Sequence, residues 1–419
     1  MKKVSSFVLK IASRCNLNCS YCYMYNLGDK TYMGQPKFMS LLTVANFAQK
    51  LKTYCEKAEV RQVQIVFHGG EPLLLKPDYF VQCLNIFKAA APDLDIRFAV
   101  QTNGVTLDQD WYTLFNENRI AVGISLDGPE KYHDKYRVFH NDKGSYTQVA
   151  RAVRLGKENE LAGILMVVNT AIPVEELYEE IKQLGAERCN LLLPDGHYHQ
   201  LPDGFDPAQF GRENYTPYAD WLIDLYKIWK KDVDRPKIHF FESLIEMVAG
   251  VEGLGNQLIG RRVNGVIGVE TDGGLEIADS MRACYEGITK NDININKNNI
   301  EDLFEEDIFE LYYHAHNKVC EQCLNCPIYD ICGGGFLAHR YAQDNGFDNP
   351  TMYCKDMIRL VTFIQNDFLD SLSEQVVEQL GIERLTYQDI MEELDKPSLN
   401  FIDAETRQNL ISYKQTEMV

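Results

Sequence analysis

Six times within its first two hundred residues the chain alternates a short β-rich run with a longer stretch whose apolar residues recur at helical spacing. The β-rich runs are 6–12, 62–67, 96–101, 120–126, 162–168 and 189–193, and the helical stretches between them are 42–57, 78–90, 110–116, 146–158 and 173–184. Repeated βα units with near-continuous apolar strands build either a parallel barrel or a doubly wound sheet. The polar and glycine-rich segments decide between the two, because they follow the strand ends. Cys15-Asn16-Leu17-Asn18-Cys19-Ser20-Tyr21-Cys22 follows the first, His68-Gly69-Gly70-Glu71-Pro72 the second and Thr102-Asn103-Gly104 the third. Asp127-Gly128-Pro129, Asn169 and Pro194-Asp195-Gly196-His197 follow the fourth, fifth and sixth. Barrels keep their chemistry at the C-terminal ends of the strands. Six strands rather than eight predict a partial, open (β/α)6 barrel of the TIM type.

Downstream the pattern changes. Residues 204–250 read as helices, with 218–231 strongly amphipathic. An Asp-Gly turn at Asp272-Gly273 between alternating apolar positions predicts a β-hairpin over 265–279. The segment 320–354 is rich in cysteine and too poor in apolar residues to hold itself together, so it needs ligated metal as its core. Residues 355–379 read as one long helix and 380–419 as a helical tail. The expected organisation is a barrel over 1–204, a helical bridge over 205–264, a cysteine-rich domain over 265–372 and a tail over 373–419.

Charge narrows the function. Lys and Arg total 42 against 61 Asp and Glu, a formal net charge of −19. Nucleic acids and anionic membranes demand the opposite sign, so no nucleic-acid or membrane partner is expected. No apolar run approaches the roughly 20 residues that span a bilayer, and no cleavage-site pattern follows Met1-Lys2-Lys3-Val4. A cytoplasmic location follows as the default.

Twelve cysteines are present. Cys55, Cys83 and Cys189 sit alone in helix- or strand-like sequence and read as small core residues. The others cluster, and clusters in a cytosolic protein read as metal or iron–sulfur ligands rather than disulfides. Cys15, Cys19 and Cys22 supply three thiolates from one loop, which would leave one iron of a [4Fe–4S] cubane open to a small molecule. The competing reading is zinc with a fourth ligand elsewhere, such as His68. Cys323, Cys326, Cys332 and Cys354 supply four thiolates, enough to close a second cluster completely or to hold zinc. Cys284 and Cys320 remain as spare thiols.

The three-cysteine loop after the first strand, Tyr21 before the third cysteine and Gly69-Gly70-Glu71-Pro72 after the second strand together resemble the radical S-adenosylmethionine (SAM) superfamily. That resemblance implies a partial barrel in which the open iron chelates the amino and carboxylate groups of SAM. Gly69, Gly70 and Glu71 then line the methionine end, the two glycines letting backbone approach the ligand. Tyr21 offers an edge for the adenine, Thr102 and Asn103 reach the ribose, and Asn169 lies at the adenosyl end. Ser125 and Arg137 match positions that bind the SAM carboxylate in peptide-modifying members; a guanidinium suits a carboxylate bidentately.

The second cysteine block resembles the SPASM extension of such enzymes, which implies one auxiliary [4Fe–4S] cluster on Cys323, Cys326, Cys332 and Cys354. The full SPASM pattern holds a second auxiliary cluster. Here Phe336 stands where that pattern has a cysteine, and no cysteine precedes the hairpin end at Asp279, so the expected total is two clusters. A narrower likeness runs through Cys22-Tyr23-Met24-Tyr25 with Asp29 and Gln35-Pro36, Phe67–Leu74, Val122–Pro129 and Gly144-Ser145-Tyr146. It is most specific at Cys332-Gly333-Gly334-Gly335-Phe336-Leu337-Ala338-His339-Arg340-Tyr341, Gly346–Pro350 and Cys354. These segments resemble the maturases that form cyclophanes in ribosomally made peptides. The implied substrate is a precursor peptide with a leader, cross-linked between an aromatic ring and a β-carbon.

Attack of a carbon radical on an arene leaves an electron and a proton to remove. Asp195, His197, Glu276 and Asp279 are the candidate proton acceptors, each competing with a plain surface or turn role. Expected partners are the precursor, a separate leader-binding protein and a reductant such as flavodoxin or ferredoxin. Peptide epimerisation, thioether formation and formylglycine generation in a sulfatase are the rival activities. A non-catalytic zinc-binding peptide scaffold is the rival from another class.

Overall fold

The structure, a computed structural model, describes residues 2–415. The described residues form two compact units: the first comprises 2–167, 179–192 and 265–310, and the second 168–178, 193–264 and 311–415.

In the first unit, strands β1 (Ser6–Ala12), β2 (Gln62–Gly69), β3 (Asp95–Thr102), β4 (Ala121–Ser125), β5 (Ala162–Val167) and β6 (Arg188–Leu192) lie side by side in chain order, all parallel. Helices α1 (Leu41–Ala58), α2 (Pro77–Ala90), α3 (Gln109–Glu117), α4 (Glu130–Tyr136), α5 (Tyr146–Glu158) and α6 (Val174–Leu184) connect them. This is the partial barrel that the sequence predicts, with strand bounds within two residues of expectation. The short helix α4 escapes a reading by periodicity because it is barely two turns long.

The local reasons are conventional. Ser40 caps α1, its Oγ accepting from the Thr43 amide at 3.0 Å, and Asp108 caps α3 through the Trp111 amide at 3.1 Å. Alternation along β1 sends Phe7 toward α1, where it meets Phe47 edge-on at 5.4 Å and Tyr54 at 6.4 Å. Phe67 of β2 does the same with Phe80 of α2 at 5.1 Å. Each ring so buried contributes roughly 1.5–3 kcal/mol relative to exposure. Cys55, Cys83 and Cys189 are buried core residues, as their surroundings in sequence predict.

The Asp-Gly hairpin forms, with β7 (Val266–Val269) antiparallel to β8 (Leu275–Glu276). Its partner is not visible in sequence: β7 also pairs in parallel with β1, Ser6 opposite Val266 and Leu9 opposite Val269. The strand order in this unit is therefore β6-β5-β4-β3-β2-β1-β7-β8.

In the second unit, α7 (Pro217–Lys231) and α9 (Cys354–Asp370) pack together, with α8 (His239–Val248) beside α9. The Asp356 carboxylate accepts the Tyr218 and Ala219 amides at 2.8 Å each, tying the start of α7 to the start of α9. The single helix expected over 355–379 is instead two: α9 stops at Asp370, and α10 (Glu374–Leu380) begins after Ser373 in extended backbone. Serine favours caps over helix interiors, and Ser371 and Ser373 flank this break. The tail adds α11 (Tyr387–Leu394) and α12 (Ala404–Ile411). No helix among the described residues is long and apolar enough to cross a membrane.

Candidate active site

The loops after β1, β2 and β3 are knitted together by one buried carboxylate. Glu71 Oε1 accepts from the Leu73 amide at 2.9 Å and from Thr102 Oγ1 at 2.7 Å, while Oε2 accepts from the Asn103 amide at 2.8 Å. Asn103 Nδ2 in turn donates to Asn16 Oδ1 at 2.7 Å and lies 3.6 Å from Cys15 Sγ. Glu71, Thr102 and Asn103 thus fix the first cysteine of the triad. Burial raises the pKa of Glu71, and the hydrogen bonds from Asn103, Thr102 and Leu73 oppose that rise.

Gly69 and Gly70 pack against the start of the cysteine loop. A Cβ on Gly69 would stand 2.0 Å from the Ala12 carbonyl oxygen, and one on Gly70 would stand 2.1 Å from Tyr25 Oη and 2.3 Å from the Arg14 carbonyl oxygen. The close approach they permit is to the backbone leaving β1. The Gly70 amide donates to Ala12 O at 2.7 Å and the Glu71 amide to Arg14 O at 3.0 Å.

Arg137, buried at the end of α4, donates from Nη1 to Tyr21 Oη at 2.8 Å and sits 3.8 Å from Asp127. Tyr21 donates its hydroxyl to Asp127, whose other oxygen accepts the Val167 amide at 3.1 Å. The Nε of Arg137 is buried with no hydrogen-bond partner, so part of this guanidinium is left for another acceptor. Ser125 Oγ accepts from Gln101 Nε2 at 2.9 Å. Tyr21, Ser125 and Arg137 therefore belong to the same unit as the three cysteines, whereas Asn169 lies in the second unit, where its Oδ1 accepts the Ala171 amide at 3.0 Å.

The barrel interior joins the candidate acceptors Glu276 and Asp279 to a buried ionic network whose Lys10, Arg282 and Glu270 the sequence does not reveal. Lys10, on β1, is 1% exposed; its Nζ contacts Glu270 at 2.6 Å and Asp279 at 3.3 Å. Arg282, fully buried, meets Glu270 and Glu276 at 2.8 Å each and Asp29 at 3.9 Å. Tyr23 donates to Asp279 at 3.1 Å. The one available signal was a lysine inside an otherwise apolar strand, Ser6-Phe7-Val8-Leu9-Lys10-Ile11-Ala12. His68, offered above as a zinc ligand, lies half-buried beside this network, where desolvation lowers its pKa.

The candidate proton acceptors divide between the units. In the first, burial opposes ionisation of Asp279, but Lys10, His68 and Arg282 outweigh it and hold the carboxyl down to about 2. Glu276 is fully engaged by Arg282, Thr289 and Lys290. In the second, Asp195 lies 3.9 Å from His339 Nε2. His197 is buried edge-on to Tyr341 at 5.3 Å, and burial lowers its pKa to about 4.

Cys15, Cys19 and Cys22 share the loop just described. Burial pushes Cys15 and Cys22 up to about 12, so as free thiols they stay protonated and a metal must displace the protons. Across the chain, residues 9–184 match the radical SAM superfamily. The chain is 26% identical over 377 residues to a cysteine-type anaerobic sulfatase-maturating enzyme of Clostridium novyi, covering 85% of this chain and 93% of that protein. It is 24% identical over 348 residues to a serine-type enzyme of Klebsiella aerogenes, covering 80% of each. A solved structure, native anSMEcpe with bound AdoMet, shares the fold with a TM-score of 0.71 at 22% identity, covering 87% of this chain and 98% of that one. The protein is an enzyme, and the superfamily it matches implies a [4Fe–4S] cluster with SAM.

The residues of the matched region fit those groups. Three thiols from one loop are the right donor set for a cluster with one open iron, and the unpartnered Arg137 Nε supplies a buried donor of the sign a carboxylate needs.

In the second unit, Cys323, Cys326, Cys332 and Cys354 border one small cavity with Gly334 and Thr351. Cys320 Sγ lies 3.6 Å from Cys323 Sγ, outside that lining. Among the described residues no three His, Cys, Asp or Glu side chains converge closely enough to hold a single metal ion. Phe336, standing where the fuller SPASM pattern has a cysteine, is buried edge-on to His339 at 5.2 Å. Cys284 is buried in the first unit.

Proposed function

We propose that this enzyme is a peptide maturase that joins an aromatic side chain to the β-carbon of a nearby residue in a ribosomally made precursor. It works with the SAM cluster and one auxiliary [4Fe–4S] cluster on Cys323, Cys326, Cys332 and Cys354. The reading is supported by the segment from Cys332 to Cys354, whose likeness to cyclophane-forming maturases is the most specific in the chain. That segment folds on itself: Asn349 Nδ2 donates to Arg340 O at 2.8 Å, the Met352 amide to His339 O at 2.8 Å, and Ala342 and Gly346 exchange backbone bonds. Its residues therefore act as a single element around the thiol-lined cavity.

A cluster on Cys15, Cys19 and Cys22 supplies, when bound, the electron that cleaves SAM to methionine and a 5′-deoxyadenosyl radical. The protein's own part is to orient and to handle charge. Arg137, whose Nε has no partner, would hold the SAM carboxylate, while Asp127 and Tyr21 keep the guanidinium in place. Asp279 is the proton acceptor that this reading favours: it stays ionised across the working pH range, and Lys10 and Tyr23 hold its position. Glu276 has its oxygens spent on cations and Thr289, while Asp195 and His197 remain as acceptors of the second unit. The precursor's leader, a leader-binding protein and a flavodoxin- or ferredoxin-type reductant complete the proposed set of partners.

A second reading has a specific observation behind it. Relatives that align with 80–85% of the chain are named as sulfatase-maturating enzymes, and anSMEcpe has been solved with bound AdoMet and a peptide named Cp18Cys. That reading makes the product a formylglycine from a Cys or Ser.

Anaerobic co-expression with a small peptide encoded beside this chain, followed by fragmentation mass spectrometry, separates the two. Loss of a hydrogen pair with fragmentation blocked between an aromatic residue and a nearby position supports the cross-link. An aldehyde at a single Cys or Ser that reacts with a hydrazide supports formylglycine and overturns the cross-link. Uptake of deuterium from heavy water without other mass change points to epimerisation and overturns both.

A further inference from the structure

Arg340 is fully buried, and its guanidinium is saturated by backbone carbonyls. Nε donates to Gly334 O at 2.8 Å, Nη1 to Ala315 O at 2.7 Å and Lys318 O at 3.2 Å, and Nη2 to Gly333 O at 3.1 Å and Gly335 O at 2.6 Å. All five acceptors are neutral. Among the described residues no carboxylate pairs with it; the ionisable groups that face it are Cys323, Cys320, Cys332 and Tyr329. A guanidinium cannot shed its proton, so an arginine buried without a counter-charge is expensive to maintain.

The missing counter-charge has one place to be. Gly334, whose carbonyl accepts Nε, also lines the cavity bordered by Cys323, Cys326, Cys332 and Cys354. A Cβ on Gly334 would stand 3.0 Å from Arg340 Nη2, so the guanidinium lies directly behind the cavity wall. The three glycines at 333–335 have φ of 62°, 77° and 70°, left-handed backbone that turns successive carbonyls onto one cation.

We propose that Arg340 is the built-in counter-cation of the auxiliary cluster and raises its reduction potential. This rests on the auxiliary-cluster reading given above. Four thiolates around a [4Fe–4S] core leave a net negative charge that grows by one unit on reduction. A fixed cation beside them stabilises the reduced form more than the oxidised one. Charge, hydrogen bonding and burial are the levers that set such potentials, and here the cation is locked by its five carbonyls and shielded from water. A raised potential suits a cluster that takes an electron from a substrate radical. Arg340 is a positioning residue in this account and touches no substrate.

The test compares Arg340→Gln and Arg340→Lys with the parent, purified anaerobically with clusters intact. Iron and sulfide are counted first, then the auxiliary cluster is titrated potentiometrically by EPR in protein whose Cys15, Cys19 and Cys22 are Ala. Both substitutions break the five-bond fork, but only lysine keeps the charge. The expected result is a reduced-to-oxidised ratio at least tenfold lower in Arg340→Gln at fixed potential, a shift of about 59 mV for one electron, with Arg340→Lys close to the parent. Loss of the cluster from Arg340→Gln but not Arg340→Lys also supports the charge role. An unchanged potential in Arg340→Gln, or loss of the cluster from both variants, overturns it and leaves Arg340 as a hydrogen-bond hub. Parent protein with the three alanines that holds no iron would sink the auxiliary-cluster reading itself, which is a distinguishable failure.

Discussion

The site is decided by a few side chains whose charges have no water to lean on. Lys10 is the clearest case, because it faces Glu270 and Asp279 from inside an apolar strand. Lys10→Met takes a cation from half-buried Asp279 and leaves buried Glu270 with Arg282 alone, and is expected to cost roughly 3–5 kcal/mol in equilibrium unfolding by denaturant. A loss within experimental error would mean the network is hydrated rather than buried. Arg137 tests a different function. Arg137→Lys keeps the charge but not the planar fork, and is expected to weaken SAM binding by about 1.5–3 kcal/mol, roughly tenfold to more than a hundredfold in Kd by anaerobic equilibrium dialysis. Wild-type affinity in that variant would place the SAM carboxylate elsewhere. The cysteines, Glu71 and Arg137 stand out in sequence because their spacing resembles a known chemistry. Lys10, Glu270 and Arg282 do not, because a buried ion pair joins residues 260 apart in the chain and leaves no periodic trace.

At the scale of elements, strand and helix positions were readable because each βα unit carries its own apolar period and caps. What periodicity misses is pairing: the 265–279 hairpin was visible, but not that β7 adds in parallel to β1. Gln35 shows how the loop after β1 and the hairpin are joined, since its amide donates to Asp272 at 3.1 Å and its carbonyl oxygen accepts from Thr271 and the Asp272 amide. The β2 turn is tighter still. Gly69→Ala forces a Cβ against the Ala12 carbonyl at φ +123°, a strain of about 1–3 kcal/mol. It is expected to reduce iron on the SAM cluster while sparing the auxiliary one, as counted by iron analysis and EPR. Helix α4 carries a pH dependence. His133 is buried, its Nδ1 accepting the Asp127 amide at 3.3 Å and its Nε2 3.0 Å from Ser145 Oγ, and burial with Arg137 lowers its pKa from 6.5 to about 3. A histidine so depressed contributes stability that is complete above about pH 6.5 and is lost as the pH falls from there toward 3, because the unfolded chain takes the proton first. His133→Gln is expected to flatten the stability profile between pH 7 and 5, and an unchanged slope would contradict this placement.

For the whole molecule, the match of 9–184 to the radical SAM superfamily, the near full-length likeness to sulfatase-maturating enzymes and the four thiols of the second unit support the proposed two-cluster peptide maturase. Two cubanes correspond to roughly eight irons per chain. Changing Cys323, Cys326, Cys332 and Cys354 together to Ser is expected to halve that number. The measurement that reaches the central claim most directly is 5′-deoxyadenosine formation from SAM under anaerobic reducing conditions, in the parent and in the Cys15, Cys19 and Cys22 triple Ala variant. The account requires 5′-deoxyadenosine from the parent and none from the variant, with the auxiliary cluster still bound. 5′-Deoxyadenosine from both, or from neither when the parent holds its full iron, would contradict it.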